Sequence, residues 1–108
     1  MKLYIGGIGQ GQEQLARQEN PQAEIIPDFH TLVRSWIDNG MDVQQQTEWL
    51  CNEHPQAVIV SDEVGCGVVP MGRENRFWRE QTGRAQCLIA ARAEQVTRVL
   101  CGIGVRIK

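Results

Sequence analysis

A glycine-rich segment near the start of the sequence has the spacing of a loop that binds phosphate groups. It follows the apolar run Leu3-Tyr4-Ile5 and consists of Gly6, Gly7, Ile8, Gly9, Gln10, Gly11, Gln12 and Glu13. Gly6 and Gly11 occupy the glycine positions of the pattern G-x-x-x-x-G-K-[ST], which joins a strand to a helix. Backbone N–H groups of such a loop and the helix N-terminus can face an anion. These eight residues are therefore candidates for contact with a nucleotide.

The charged half of that pattern is missing. Gln12 replaces the lysine that faces the phosphates, and Glu13 replaces the serine or threonine that holds magnesium. At about 4 Å and an effective dielectric constant near 20, one charge–charge interaction amounts to about 4 kcal/mol. We therefore predict severely weakened triphosphate binding. Two alternatives are that Glu13 binds magnesium directly, and that the glycines only make a tight turn from strand to helix.

Two further carboxylates follow predicted strands. Asp28 comes after a short apolar strand, and Glu63 comes after the apolar run 57–60. Ligands of open α/β sheets bind at the carboxyl ends of the strands, so both are catalytic candidates. Asp28, like Glu13, is also a candidate magnesium ligand, or it caps the next helix, which would contribute about 1 kcal/mol.

Hydrophobic periodicity and turn signals predict the elements that position these residues. They are a strand at 2–5, a helix at about 11–18, a strand at 24–26, a helix from Asp28 to Asn39-Gly40, a helix capped by Asp42 that ends before Pro55, a strand at 57–60, a loop at 61–72, a helix at about 73–93, and strands at 96–101 and 105–108. Alternation of this kind predicts an α/β sheet with mostly parallel pairing.

In three of the predicted helices, the spacing of apolar residues indicates which side of the helix faces the core. The predicted inward positions are Phe29, Leu32, Val33, Trp36 and Ile37 in one helix, Val43, Thr47, Leu50 and Cys51 in the next, and Phe77, Gln81, Ala85, Leu88 and Ile89 in the long one. Gly83 interrupts the long helix at a cost of about 1 kcal/mol relative to alanine, which indicates a bend or a close backbone contact.

Composition excludes several classes of protein. The 108 residues predict one domain, 1–108, and 42% are hydrophobic, which is ordinary for a globular protein. A net charge of -2 gives no bulk attraction to nucleic acid or to an anionic membrane. No apolar run is long enough to span a bilayer, and a strand begins where a leader would stand, so we expect a cytoplasmic protein. Cys51, Cys66, Cys87 and Cys101 are predicted to be small buried hydrophobes in a reducing compartment.

The C-terminal half carries more specific motifs. The segment Asp62-Glu63-Val64-Gly65-Cys66-Gly67-Val68-Val69-Pro70 and the helix from Arg76 to Cys87 are followed by the ending Gly102-Ile103-Gly104-Val105-Arg106-Ile107-Lys108. These three segments resemble the N-E-V-G-x-G-x-V-P motif, the R-x-F-R-D-x-x-G-R-x-N-Q helix and the ending of the bifunctional adenosylcobinamide kinase / adenosylcobinamide-phosphate guanylyltransferase family (the CobU type). Aspartate replaces asparagine in the first motif, and Glu80 replaces aspartate in the second.

The resemblance implies a fold and a set of ligands. The fold is a small, mostly parallel sheet with helices on both faces, of the P-loop NTPase (RecA-like) type, with a C-terminal strand pair. The implied ligands are GTP or ATP with magnesium, and a corrinoid; the implied assembly is a homo-oligomer, a trimer by analogy. Arg76, Arg79 and Arg84 match positions of the family and could contact a nucleotide phosphate or a neighbouring subunit. The alternative is a solvated helix face.

The departures from the family decide the functional hypothesis. The chain is shorter between its first helix and Glu24, where the family has the histidine that becomes guanylylated, and neither His30 nor His54 matches it. Both are interpreted as ordinary, partly exposed helix residues. We predict a degenerate relative in cobalamin metabolism that binds a nucleotide, a corrinoid or a full-length family member. The alternative is an active kinase without guanylyl transfer.

Overall fold

The computed structural model describes residues 1–64 and 72–108. Its elements are β1 (Lys2–Gly6), α1 (Gln12–Glu19), β2 (Ile25–Ile26), α2 (Phe29–Asp38), α3 (Val43–Glu53), β3 (Val58–Asp62), α4 (Arg73–Arg92), β4 (Gln95–Leu100) and β5 (Ile103–Arg106). Each predicted element in these residues is confirmed, with boundaries that differ by a few positions. The predicted glycine loop after β3 lies largely outside the described residues.

The five strands form one sheet in the order β2-β3-β1-β4-β5. The first four strands pair in parallel, and β5 pairs antiparallel with β4. Gly6 at the end of β1 lies opposite Asp62 at the end of β3. The predicted α/β class, the mostly parallel sheet and the C-terminal strand pair are therefore confirmed. The glycine loop and the segment after β3 leave the same edge of this sheet.

Helices cover both faces of the sheet because alternate residues of its central strands point in opposite directions. Leu3, Ile59 and Val96 pack with α2, α3 and α4 in the larger core. Tyr4, Val60 and Val99 pack with Ala16 of α1 on the other face. The central strands are therefore apolar on both sides, as buried parallel strands are.

The two aspartates that precede helices behave differently. Asp42 accepts a hydrogen bond from the Gln45 backbone N–H at 2.9 Å, so the predicted cap of α3 is confirmed. Asp28 has a left-handed backbone, φ 52°, and its side chain makes no capping hydrogen bond. Its predicted alternative role as an N-cap is therefore wrong. An N-cap residue needs an extended backbone to turn its oxygen toward the first helical turn, and Asp28 lacks one.

The predicted inward face of α4 is partly wrong. Ala85 and Ile89 are buried, but so is Thr82, whereas Phe77 is 49% exposed. The buried stripe is displaced because Trp78, not Phe77, faces α2 in the first half of α4, while Thr82, Ala85 and Ile89 continue the buried side toward its C-terminus. The predictions for α2 and α3 hold better: Phe29, Val33 and Trp36, and all four positions of α3, are buried.

Gly83 has open space, among the described residues, where a side chain would stand. No described atom lies within 4 Å of a Cβ built on it, so the predicted close backbone contact is not found in this part of the chain. Gly83→Ala should therefore raise the free energy of unfolding by about 1 kcal/mol, because alanine loses less backbone entropy in a helix. Urea denaturation of the two proteins measures this difference. An equal or lower stability of the variant would contradict it.

Two of the four cysteines are not buried. Cys51 is buried, and burial raises the pKa of its thiol above the ordinary value. Cys87 on the outer face of α4 and Cys101 in the turn between β4 and β5 are exposed, so the prediction of burial is wrong for both. Cys66 lies outside the described residues. Within the described residues, no group of three or more His, Cys, Asp or Glu side chains has an arrangement that could hold a metal ion.

The C-terminal strand pair carries apolar side chains into solvent. Leu100, Ile103, Val105 and Ile107 are each more than half exposed. The predicted buried strand at 96–101 is therefore correct at Val96 and Val99 but wrong at Leu100 and Cys101. Within the described residues, every helix is too short or too polar to cross a bilayer.

Candidate functional site

The glycine loop, residues 6–13, borders a cleft at the carboxyl ends of β1 and β3. We call it the loop cleft. Its walls include Gly9, Gly11 and Gln12 from the loop, Asp28 and His30 from the start of α2, and Ser61 and Asp62 from the end of β3. Gly9 and Gly11 have φ of 74° and 86°, a backbone that residues with side chains rarely adopt. The loop thus turns directly from β1 into α1, as the glycine spacing predicts.

A contact with the β4–β5 turn holds the loop in this conformation. The Gln10 side-chain oxygen Oε1 accepts a hydrogen bond from the Cys101 N–H at 2.7 Å. The Gln10 carbonyl accepts a second one from the Gly102 N–H at 2.8 Å. Gly6 approaches β4 so closely that an added Cβ would lie 2.6 Å from the Val99 carbonyl oxygen. The glycine at position 6 is therefore required by packing as well as by the turn.

Gln12, the residue at the lysine position, is turned inward onto the loop. It is 5% exposed, and its Nε2 atom lies 3.2 Å from the Gly6 carbonyl, 3.0 Å from the Gly7 carbonyl and 2.7 Å from Asp62 Oδ1. The opposite amide orientation would place an oxygen against these three oxygens, so it is disfavoured. Among the described residues, the Gln12 Oε1 atom has no hydrogen-bond partner.

Three acceptors around one nitrogen fit an ammonium group better than an amide. A lysine ammonium has three N–H donors, whereas a glutamine amide has two. Gln12 therefore leaves one of the three oxygens without a full hydrogen bond and brings no positive charge. The loop keeps the acceptor geometry of a lysine site, but the side chain that now occupies it is neutral and has its polar end bound within the protein.

Asp62 and His30 form a second polar contact in the cleft. The Asp62 N–H donates to His30 Nδ1 at 3.2 Å, so the neutral ring carries its proton on Nε2. That Nε2 atom lies 3.4 Å from Asp62 Oδ2. The side chain of His30 is only 15% exposed, and Asp62 joins it to Gln12. His30 is therefore a partly exposed helix residue, as expected, but most of its side chain is buried and it is also part of the cleft.

Two residues of α4 anchor this end of the sheet. Gln86 Nε2 donates to Ser61 Oγ at 2.9 Å and to the Asp62 carbonyl at 2.8 Å. Trp78 Nε1 donates to the His30 carbonyl at 2.8 Å. Helix α4 thus fixes the backbones of His30 and Asp62, the two residues that contact each other in the cleft. The sequence pattern alone did not predict this role of Gln86.

The acidic residues predicted to take part in the site do not all lie in the loop cleft. Asp28 and Glu13 line the loop cleft with Asp62, and Glu13 also pairs with Arg17 at 3.1 Å. Glu63 instead lies 3.4 Å from Arg98 of β4, while its N–H donates to the Gly6 carbonyl. Glu63 is therefore not among the residues that line the cleft. Successive strand residues point to opposite faces, and this places Asp62 rather than Glu63 in the cleft.

The arginine candidates lie elsewhere. Arg76, Arg79 and Arg84 line a groove along α4 that shares no wall residue with the loop cleft. Arg84 pairs with Glu80 at 2.6 Å, and both side chains are mostly exposed. Among the described residues that line the loop cleft, lysine and arginine are absent. The other histidine, His54, contacts Glu24 at 2.9 Å, and neither residue is among the described residues that line the cleft.

The fold and the cleft define an α/β protein of the P-loop type, with a glycine loop between its central strand and the following helix. The sequence profile of the cobinamide kinase / cobinamide phosphate guanyltransferase family matches residues 11–107. The chain therefore belongs to this family, as the resemblance predicts.

Individual relatives match a shorter stretch. The bifunctional adenosylcobalamin biosynthesis proteins CobU of Salmonella typhimurium and of Escherichia coli are each 44% identical over 59 residues, which is 54% of this chain and 33% of theirs. The bifunctional adenosylcobalamin biosynthesis protein CobP of Pseudomonas aeruginosa is 37% identical over 51 residues, 47% of this chain and 30% of its own. Each match thus spans about a third of the relative's length.

Proposed function

We propose that this chain is a degenerate family member that binds a nucleotide or a corrinoid in cobalamin metabolism, as a binding or regulatory protein, and does not transfer phosphate. One observation carries the proposal. The Gln12 amide, at the lysine position, is bound to the Gly6 and Gly7 carbonyls and to Asp62. No cation is therefore offered to a triphosphate from the position where the reaction needs one.

The charge of the cleft supports the same conclusion. Glu13, Asp28 and Asp62 line it, and the described wall residues include no arginine or lysine to oppose them. Phosphoryl transfer depends mainly on positioning and on neutralising the charge of the phosphates. Three carboxylates beside a triphosphate act against both binding and the transition state unless magnesium screens them.

Guanylyl transfer through a covalent histidine also lacks support. The sequence has two histidines. His30 Nδ1 accepts the Asp62 N–H, and its Nε2 atom faces the Asp62 carboxylate. His54 is paired with Glu24. Neither matches the family histidine, and a His30 nucleophile would have to attack through the nitrogen that faces a carboxylate.

An active kinase is the second candidate, and the backbone of the loop favours it. Gly9 and Gly11 keep the left-handed conformations that turn the loop into α1, and the first turn of α1 has no side-chain cap. Its free N–H groups remain able to face an anion. In this case Glu13 and Asp28 would bind magnesium, and a neighbouring copy or a full-length family member would supply the missing cation.

Isothermal titration calorimetry with GTP and ATP, each with and without magnesium, tests the proposal. We expect no binding at micromolar nucleotide, because the cleft lacks its cation; weak binding at millimolar nucleotide, or binding of a corrinoid in the same titration, then identifies the ligand of the proposed binding protein. The control is the same titration of a full-length family member with an intact lysine. Micromolar binding, followed by phosphorylation of cobinamide by this chain alone, would establish the kinase instead. Activity that requires the full-length member would support a partner-supplied cation.

A further inference from the structure

An open groove on α4 gathers most of the unbalanced positive charge of that helix. Val64 and the helix residues Arg76, Arg79, Glu80, Gly83, Arg84 and Cys87 line it. We call it the arginine groove. It is a shallow depression that is mostly open to solvent.

The groove occupies the face of α4 that packing does not use. Arg76, Arg79, Gly83 and Cys87 follow one another at spacings of three or four residues, which places them on one side of a helix. The buried residues of α4 are Thr82, Ala85 and Ile89, on the other side. The arginines therefore do not contribute to the core, and their side of α4 is available to bind a ligand.

The charges in the groove do not balance. Glu80 is the carboxylate that lines it, and it pairs with Arg84 at 2.6 Å. Within the described residues, neither Arg76 nor Arg79 has a carboxylate in ion-pair distance. Guanidinium groups bind phosphate oxygens through two parallel hydrogen bonds, so two adjacent arginines favour a phosphate group as ligand.

Gly83 gives the groove its floor. A Cβ at this position would meet no atom of the described residues within 4 Å, so none of these residues requires glycine there for packing. Glycine nevertheless disfavours the helix relative to alanine. Its absent side chain leaves a shallow recess between the arginines, bordered by Val64 and the exposed Cys87. A flat apolar group fits such a recess.

We propose that the arginine groove binds a small molecule with a phosphate monoester on a flat apolar body. Arg76 and Arg79 hold the phosphate, and the body lies over Gly83. The site is separate from the loop cleft and does not use Gln12, so it goes beyond the proposed function of that cleft. It would give a chain with a neutral glycine loop another place to hold a phosphorylated ligand.

Phenyl phosphate is the probe. Phenol and inorganic phosphate are the controls, because each carries only one of its two parts. We expect sub-millimolar binding of phenyl phosphate in calorimetry, and weaker binding of either half. The Arg76→Gln, Arg79→Gln double variant should lose about tenfold in affinity, because each charged hydrogen bond to phosphate is among the stronger ones. Arg76→Lys, Arg79→Lys should retain part of it. Arg92→Gln, on the same helix but outside the groove, should change nothing.

A second readout locates the ligand. Phenyl phosphate should slow alkylation of Cys87 by iodoacetamide, measured peptide by peptide, while exposed Cys101 reacts at an unchanged rate. Gly83→Leu should abolish this protection, and its helical circular dichroism should match that of the native chain. The proposal is wrong if millimolar phenyl phosphate does not bind, if the double glutamine variant binds equally well, or if phenol protects Cys87 as strongly. In the Gln12→Lys variant, phenyl phosphate should protect Cys87 to the same extent as in the native chain, whatever phosphate the new cation binds in the loop cleft, which separates this test from that of the loop cleft.

Discussion

The Gln12→Lys, Glu13→Ser double variant should bind magnesium ATP or GTP at least about 100-fold more tightly than the native chain. One charge–charge interaction near a protein surface amounts to about 4 kcal/mol, and each 1.4 kcal/mol is about tenfold in affinity. The exchange adds one attraction to the phosphates and removes one repulsion. A gain of about 100-fold in nucleotide affinity therefore needs only part of the energy that these two electrostatic changes can supply.

The local structure is suited to this exchange. Three oxygens already surround the position of the Gln12 nitrogen at 2.7–3.2 Å, and an ammonium group can donate to all of them. The change also removes the Gln12 Oε1 atom, which is buried without a partner in the described residues. Loss of Glu13 breaks an exposed pair with Arg17, and such pairs contribute little to stability.

Gln12→Met is the matched control for the double variant. It removes the amide from the loop carbonyls and Asp62 but adds no charge. Calorimetric titration of the native chain, the double variant and Gln12→Met separates the effect of removing the amide from the effect of adding a positive charge. Equal gains in Gln12→Met and in the lysine variant would mean that the amide blocks the cleft sterically and that charge is not decisive. If the lysine variant gains nothing, the altered loop residues do not explain the loss of nucleotide binding.

Phe29→Ala is expected to lower the free energy of unfolding by about 3–5 kcal/mol, the range of phenylalanine truncation in a core. Phe29 is fully buried, and its ring meets Trp36 edge-on at a centroid distance of 5.8 Å. It also begins the helix that carries His30 into the loop cleft. The total free energy of unfolding of such a domain is about 5–15 kcal/mol, so the variant should lose a large part of its stability.

Phe77→Ala is the control, because the same residue type is half-exposed on α4. Its effect should stay within about 0.5 kcal/mol, as for most surface substitutions. Urea denaturation with unchanged slopes would report both values. A large loss in Phe77→Ala would mean that its ring contributes to the fold, as its periodicity originally suggested. A small loss in Phe29→Ala would contradict the role of α2 in the core.

The sequence predicts the fold well because local signals and burial agree in most of the elements. The apolar run 57–60 and the stripe containing Phe29, Val33 and Trp36 each specify one element and its buried side. α4 was harder to predict because its polar composition hides which side is buried. Thr82 is fully buried there, whereas the more apolar Phe77 is not.

The site was predicted only at the level of the loop. Spacing placed Gln12 at the lysine position, but the bonds of its amide depend on Asp62, which is 50 residues away. His30 carried no distinctive local pattern, and its contact with Asp62 arises from the packing of α2 beside β3. The choice of Asp62 over Glu63 depends on where β3 ends, because a shift of one residue exchanges the faces.

The strand order has a consequence for synthesis of this protein. β1 precedes the other four strands in the chain, yet its two neighbours are β3 and β4, whose residues Val58 and Gln95 lie opposite Lys2. The turn that holds the glycine loop through Gln10 comes later still, at Cys101 and Gly102. Pairings between such distant segments form slowly and leave strand edges open meanwhile. The loop cleft can therefore be completed only after β4 and the turn that follows it have been synthesised. A polypeptide cut before Gln95 would leave β1 as an exposed strand edge that can pair with other chains, and it would lack the contacts that hold the glycine loop.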